Sequence, residues 1–169
     1  GSNNYLKVDY FNGRFSAGVQ VEGYLPALQG YDIATYGNGS HFLLATKYVQ
    51  WQDQNYSLRT GDIFEQFGNG LIFRSYEDRA LGFNNSIEGV WGSYNFGGYV
   101  NVKALWGRPR LYDDYADSYV RGADAEISLS DIFTWYDGTA TLGGSFVNRY
   151  ESIGEESPFY DVIKPNLNL

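Results

Sequence analysis

Acid–base or metal chemistry in this chain would have to pass through a single histidine, His41. A Ser-His-Asp arrangement would recruit it, yet no Gly-x-Ser-x-Gly turn surrounds any serine. One imidazole cannot build a histidine metal cluster. The absence of cysteine removes thiolate zinc sites, cysteine nucleophiles and disulfides. His41 therefore reads as a strand-end or loop residue, and the chain as a non-enzymatic protein with no cofactor and no metal.

Paired carboxylates could hydrolyse glycosides if an acid and a base converged. Glu65, Glu77, Asp78, Asp113, Asp114 and Asp117 supply the groups, but all fall in expected loops, where solvated charge is the plainer reading. Asp113-Asp114-Tyr115-Ala116-Asp117 has the charge of a calcium loop without its turn glycine or terminal glutamate. Gly68-Asn69-Gly70 is too short for a phosphate loop, and no Lys-Ser/Thr follows it. Trp106, Tyr112, Tyr115 and Tyr119 could stack on sugar rings, since aromatic faces beside carboxylates suit glycans; packing among themselves is the alternative.

A different chemistry is expected over residues 64–79, where Glu65, Arg74, Glu77, Asp78 and Arg79 lie among Phe64, Phe67, Phe73 and Tyr76. On a lipid-facing strand each charge would cost ~2–4 kcal/mol near the midplane. Folded over or into a barrel mouth, the charges pair and the rings pack. Arg74 and Arg79 are then expected in ion pairs with carboxylates such as Glu65 and Glu77, lining or capping a polar interior. A plain exposed loop is the competing reading.

The elements that must position these residues follow from composition and period. Aromatics make up 18% of the 169 residues, with 21 glycines, and both classes favour pleated strands joined by tight turns. Leu6, Val8 and Tyr10 alternate with Lys7 and Asp9; Phe15, Ala17, Val19 and Val21 alternate with Arg14, Ser16, Gln20 and Glu22. Asn12-Gly13 between them predicts a two-residue hairpin turn. Further strands are expected over 41–52, 56–63, 86–94, 99–107, 122–129 and 139–146, with a short one at 71–75. Short turns at 53–55 and 95–98 fall between long loops at 25–40, 64–85 and 108–121. The fold class is therefore all-β, an antiparallel meander of about 8–10 strands over residues 1–150, with an irregular acidic tail at 151–169.

The net charge of −8 excludes a phosphate-neutralising surface for nucleic acid, since the 12 basic residues are scattered among 20 acidic ones. No run of about 20 apolar residues exists to form a spanning helix, but a spanning strand needs only one apolar face over ~9–11 residues. Period two arises in a soluble sandwich and in a membrane barrel alike. Charges and glycines on the polar phase (Lys7, Asp9, Arg14, Gly18, Glu22, Lys103, Asp124, Glu126 and Gly143) suit a lumen. Tyr10, Phe11, Tyr24, Trp91, Tyr94, Tyr99 and Trp106 near strand ends suit interfacial girdles. The expectation is an outer-membrane β-barrel or part of one at the cell surface, a porin-like channel or scaffold contacting membrane lipid and possible surface proteins or glycans. A soluble, secreted β-sandwich binding carbohydrate or another protein is the alternative.

The run Leu58-Arg59-Thr60-Gly61-Asp62-Ile63-Phe64-Glu65-Gln66-Phe67-Gly68-Asn69-Gly70-Leu71-Ile72-Phe73-Arg74, continuing through Ser75-Tyr76-Glu77-Asp78-Arg79-Ala80-Leu81-Gly82, resembles the central motif of a family of uncharacterised Bacteroidota outer-membrane porin-like β-barrel proteins. Asn4-Tyr5-Leu6-Lys7-Val8-Asp9-Tyr10 and Val120-Arg121-Gly122-Ala123-Asp124 are similar to that family too. The resemblance implies a surface barrel longer than this chain, of which it would be an N-terminal or partial segment. A C-terminal strand ending in an aromatic residue is missing from the pattern.

Overall fold

A computed structural model describes residues 2–25, 41–78, 83–111, 114–133 and 138–151. The strands are β1 (Ser2–Asn12), β2 (Phe15–Leu25), β3 (His41–Gln52), β4 (Tyr56–Ile63), β5 (Glu77–Asp78), β6 (Phe83–Asn84), β7 (Ile87–Phe96), β8 (Val100–Leu111), β9 (Asp114–Tyr115), β10 (Tyr119–Ser128) and β11 (Thr141–Tyr150). One short helix, α1 (Leu129–Ile132), follows β10. The main sheet runs β1-β2-β3-β4-β7-β8-β10-β11, with β9 beside β8, while β5 and β6 pair separately. Every pairing is antiparallel. The expected all-β meander is present as an open sheet, not closed into a barrel.

The expected hairpin forms, but its turn lies one residue further along. Asn12 pairs with Phe15, so Gly13 and Arg14 are the loop, and Gly13 takes the positive φ of 59° that a side chain disfavours. Leu6 faces Val21, Val8 faces Val19 and Tyr10 faces Ala17. The expected short strand at 71–75 is absent: only an isolated bridge between Gln66 and Arg74 marks that stretch.

Register carries one apolar face across all eight strands. Ala17 pairs with Val49, Val49 with Thr60, Thr60 with Val90, Val90 with Trp106, Ala104 with Ala123 and Ala123 with Phe146. This face is open: Leu6 is 64% exposed, Leu58 53%, Val90 53% and Phe146 62%. The opposite face is polar and better covered, with Gln20, Glu22 and Asp124 buried. Trp91 belongs to this second face and packs against the core, and Phe11, opposite Ser16, shares the phase of Asp9. Neither sits on the apolar face, as interfacial girdle residues would. The side chain of Tyr24 lies outside the described ones.

The buried core is small and lies on the polar face. Ile63, Ile87, Leu105 and Val120 meet Phe67, with Phe73, Trp91 and Val147 around them. Phe67 comes from the connection after β4, which therefore folds onto the sheet. Gly122 makes room for it, because a Cβ there would stand 2.6 Å from the Phe67 ring.

Connections differ at the two ends. Tight turns at 13–14, 53–55 and 97–99 share one end with the 129–140 connection, and the connections 26–40, 64–86 and 112–118 share the other. The expected loop at 25–40 and tail at 151–169 fall outside the described residues, Leu25 and Glu151 apart.

Candidate functional site

At the long-connection end the strands deliver charged groups to one cluster. Gly61, at φ 103°, packs its open α-carbon against the Lys47 carbonyl and turns the end of β4 so that Asp62 is wholly buried. The Asp62 carboxylate accepts hydrogen bonds from the Lys47 backbone N–H at 2.8 Å, the Ser86 hydroxyl at 3.0 Å and the Tyr115 hydroxyl at 3.0 Å. Arg110 stands 3.9 Å away, its side chain 1% exposed. A bulge between β2 and β3 leaves Ala45 outside the pairing, and its carbonyl accepts from Arg110 at 2.6 Å. The arginine is thus held by a carboxylate and a carbonyl, which is how a buried cation avoids an unmet charge.

Above that buried pair lies a more open tier. Lys47 Nζ meets Glu88 at 2.7 Å and donates to the Tyr115 hydroxyl at 3.2 Å; Arg108 meets the other Glu88 oxygen at 2.9 Å. Lys47, Arg108 and Arg110 stand 4.9, 5.6 and 5.7 Å from the centre of the Tyr115 ring, close enough for cation–π attraction. Burial, and next the charge of Asp62, raise the Tyr115 phenol above its usual 10.0.

This cluster is absent from the sequence expectations, although a signal for it exists. Lys47, Glu88 and Arg108 occupy the apolar phase of their strands, in step with Val49, Val90 and Trp106. A charge on that phase is the anomaly that marks the site.

The expected site residues divide. Glu65 pairs with Lys103 at 3.0 Å, and Glu77 accepts from Gln20 at 3.2 Å, so both tie the 64–86 connection to the polar face. Arg74 is exposed over the Tyr76 ring at 4.8 Å and forms no ion pair among the described residues, contrary to expectation. Tyr76 offers it a π face there. Arg79 lies outside the described residues. Of the aromatics, Trp106 and Tyr119 stack at 5.3 Å with planes 10° apart, Tyr115 is committed to Asp62, and Tyr112 and Asp113 lie outside the described residues. His41 begins β3, and its side chain is not among those described.

Elsewhere on the polar face Lys7 pairs with Asp9, Tyr48 donates to Asp9 at 3.0 Å, and Ser145 donates to Asp124 at 2.5 Å. Among the described residues no group of His, Cys, Asp or Glu is arranged to hold a metal, and no helix is long and apolar enough to cross a membrane.

The profile of a family of unknown function (DUF6029) matches residues 1–168. No curated protein matches the chain.

Proposed function

The chain belongs to the family of unknown function DUF6029, and we propose that it forms wall of an outer-membrane β-barrel at the cell surface, serving as a porin-like channel or scaffold. One observation carries this reading: the sheet is inside-out. Apolar side chains line the exposed face of eight neighbouring strands, while the covered face carries charged and polar side chains around a small apolar core. In water an open apolar face of this extent works against solubility, whereas against lipid tails it is the favoured surface. The segregation of tight turns to one end supports the same reading, as does the aromatic pair Tyr94–Phe96 near that end and Trp106–Tyr119 near the other. In this setting the polar face with its infolded connection borders the lumen, and membrane lipid is the principal partner.

Expression with separation of membrane and soluble fractions tests it. The protein is expected with the outer membrane, extractable only by detergent, and to migrate differently on gels before and after boiling. Recovery in the soluble fraction without detergent would favour a secreted β-sandwich, whose apolar face a second sheet would cover.

A further inference from the structure

Charges on the apolar face have a narrow distribution. Among the described residues they lie at its long-connection border: Lys47 on β3, Asp62 on β4, Glu88 on β7, Arg108 and Arg110 on β8 and Arg121 on β10. Four are cations and two are anions; Arg110 and Asp62 are buried against each other, which leaves Lys47, Arg108 and Arg121 with Glu88, although the whole chain carries −8. Lys47 and Arg108 remain 38% and 41% exposed while sharing Glu88. Arg121 is exposed and donates to Asn148 at 3.2 Å. The stacked Trp106 and Tyr119 stand in the same zone, Trp106 directly opposite Arg121.

Resting on the membrane reading, we infer that Lys47 and Arg108, with Arg121 on the strand beyond, form a basic rim that binds the phosphate of an anionic membrane lipid, with Trp106 and Tyr119 lying along its upper acyl chain. Lipid phosphates lie where the hydrocarbon layer ends, and here the apolar belt ends at these cations. Glu88 holds Lys47 and Arg108 side by side through one oxygen each, so it orients both and cancels only one of the three positive charges. Beyond Glu88 and the Tyr115 ring, the Arg108 guanidinium keeps N–H groups for a phosphate fork, and Lys47 adds a compact charge. A free anion would satisfy the cations and leave the exposed surface of the stacked aromatic pair uncovered. A lipid occupies both.

The test uses the full chain with three vesicle preparations: phosphatidylcholine alone, the same with phosphatidic acid, and the phosphatidic acid mixture with inorganic phosphate in solution. Brominated acyl chains on one lipid at a time quench nearby tryptophan, and Trp106→Phe isolates the contribution of Trp106. Brominated phosphatidic acid is expected to quench Trp106 several-fold more effectively than brominated phosphatidylcholine. Replacing all three cations by glutamine should abolish that preference, bringing the two lipids to equal quenching, while Arg108→Lys with Lys47→Arg retains most of it. Equal quenching by both lipids overturns the inference and leaves the membrane reading standing. Quenching by neither lipid overturns both. Displacement of phosphatidic acid by equimolar inorganic phosphate identifies an anion site indifferent to lipid and overturns the inference.

Discussion

Asp62 concentrates the energetics of the candidate site in one residue. It is wholly buried, accepts three hydrogen bonds, and faces an arginine that is itself out of water. Asp62→Ala leaves the Arg110 charge and two hydroxyls without their acceptor. Losing one partner of a buried pair costs ~3–5 kcal/mol. Urea unfolding in detergent micelles should show a loss of that size, with a smaller one for Asp62→Asn, which keeps an acceptor oxygen. Tyr115 makes the same cluster sensitive to alkali. Its phenol is raised by burial first and by Asp62 second. A raised pKa in the folded state means that its contribution to stability is complete below the unfolded value of about 10 and is lost as pH rises through the folded value. Unfolding midpoints of the parent should therefore fall more steeply above pH ~10 than those of Tyr115→Phe. Parallel curves would remove Tyr115 from the account.

Among the elements, the infolded 64–86 connection depends on one anchor. Phe67 is 1% exposed and fills the space that Gly122 leaves open, while Glu65 adds its pair with Lys103. Phe67→Ala should cost ~3–5 kcal/mol and release the connection, read as new protease cleavage between residues 64 and 78 in otherwise intact sheet. Unchanged protection would show that the polar ties through Glu65 and Glu77 suffice.

The sequence made the strands and their faces readable because alternation with period two states which side chains share a face. It left the hairpin register open for a physical reason: Leu6 opposite Val21, as found, and Leu6 opposite Val19, as an Asn12-Gly13 loop would give, put the same phases together. Only the turn decides between them, and Gly13 at φ 59° does so one residue later than expected. Gly13→Ala should accordingly destabilise the hairpin by about 1 kcal/mol, measured by amide exchange of β1. That residues 64–79 would leave the strand pattern and fold over was legible from their mixed charges and rings, and the described part, 64–78, does lie on the sheet. The anchor was not legible, since Phe67 and Gly122 are matched only in space. The same holds for Asp62 with Arg110. Long-range partners leave no trace in local period.

For the whole molecule, the infolded connection restricts how the sheet can be completed. Its described residues touch Gln20 on β2, through Glu77, and Gly122 on β10, through Phe67, and so cross the polar face. An eight-stranded barrel has an interior only wide enough for side chains. It has no room for a main-chain segment carrying Phe67 and Phe73. Yet β1 and β11 run antiparallel to each other across the meander, with Leu6 and Val8 on one edge in phase with Leu142 and Phe146 on the other, so nothing in strand direction or facing prevents their pairing. The obstacle is the segment that lies on the polar face. In lipid, an unpaired edge leaves a row of backbone groups unsatisfied, each costing several kcal/mol, so both edges require further strands and the proposed barrel is wider than eight. The absence of native cysteine allows a direct test. Val8→Cys with Gly144→Cys places one thiol on each edge strand, and a disulfide needs Cβ atoms within ~3.5–4.5 Å. Mild oxidation of the membrane-inserted double variant should yield no intrachain bond. A compact, oxidant-dependent monomer band would mean that β1 and β11 meet, and the 64–86 connection would then have to leave the polar face.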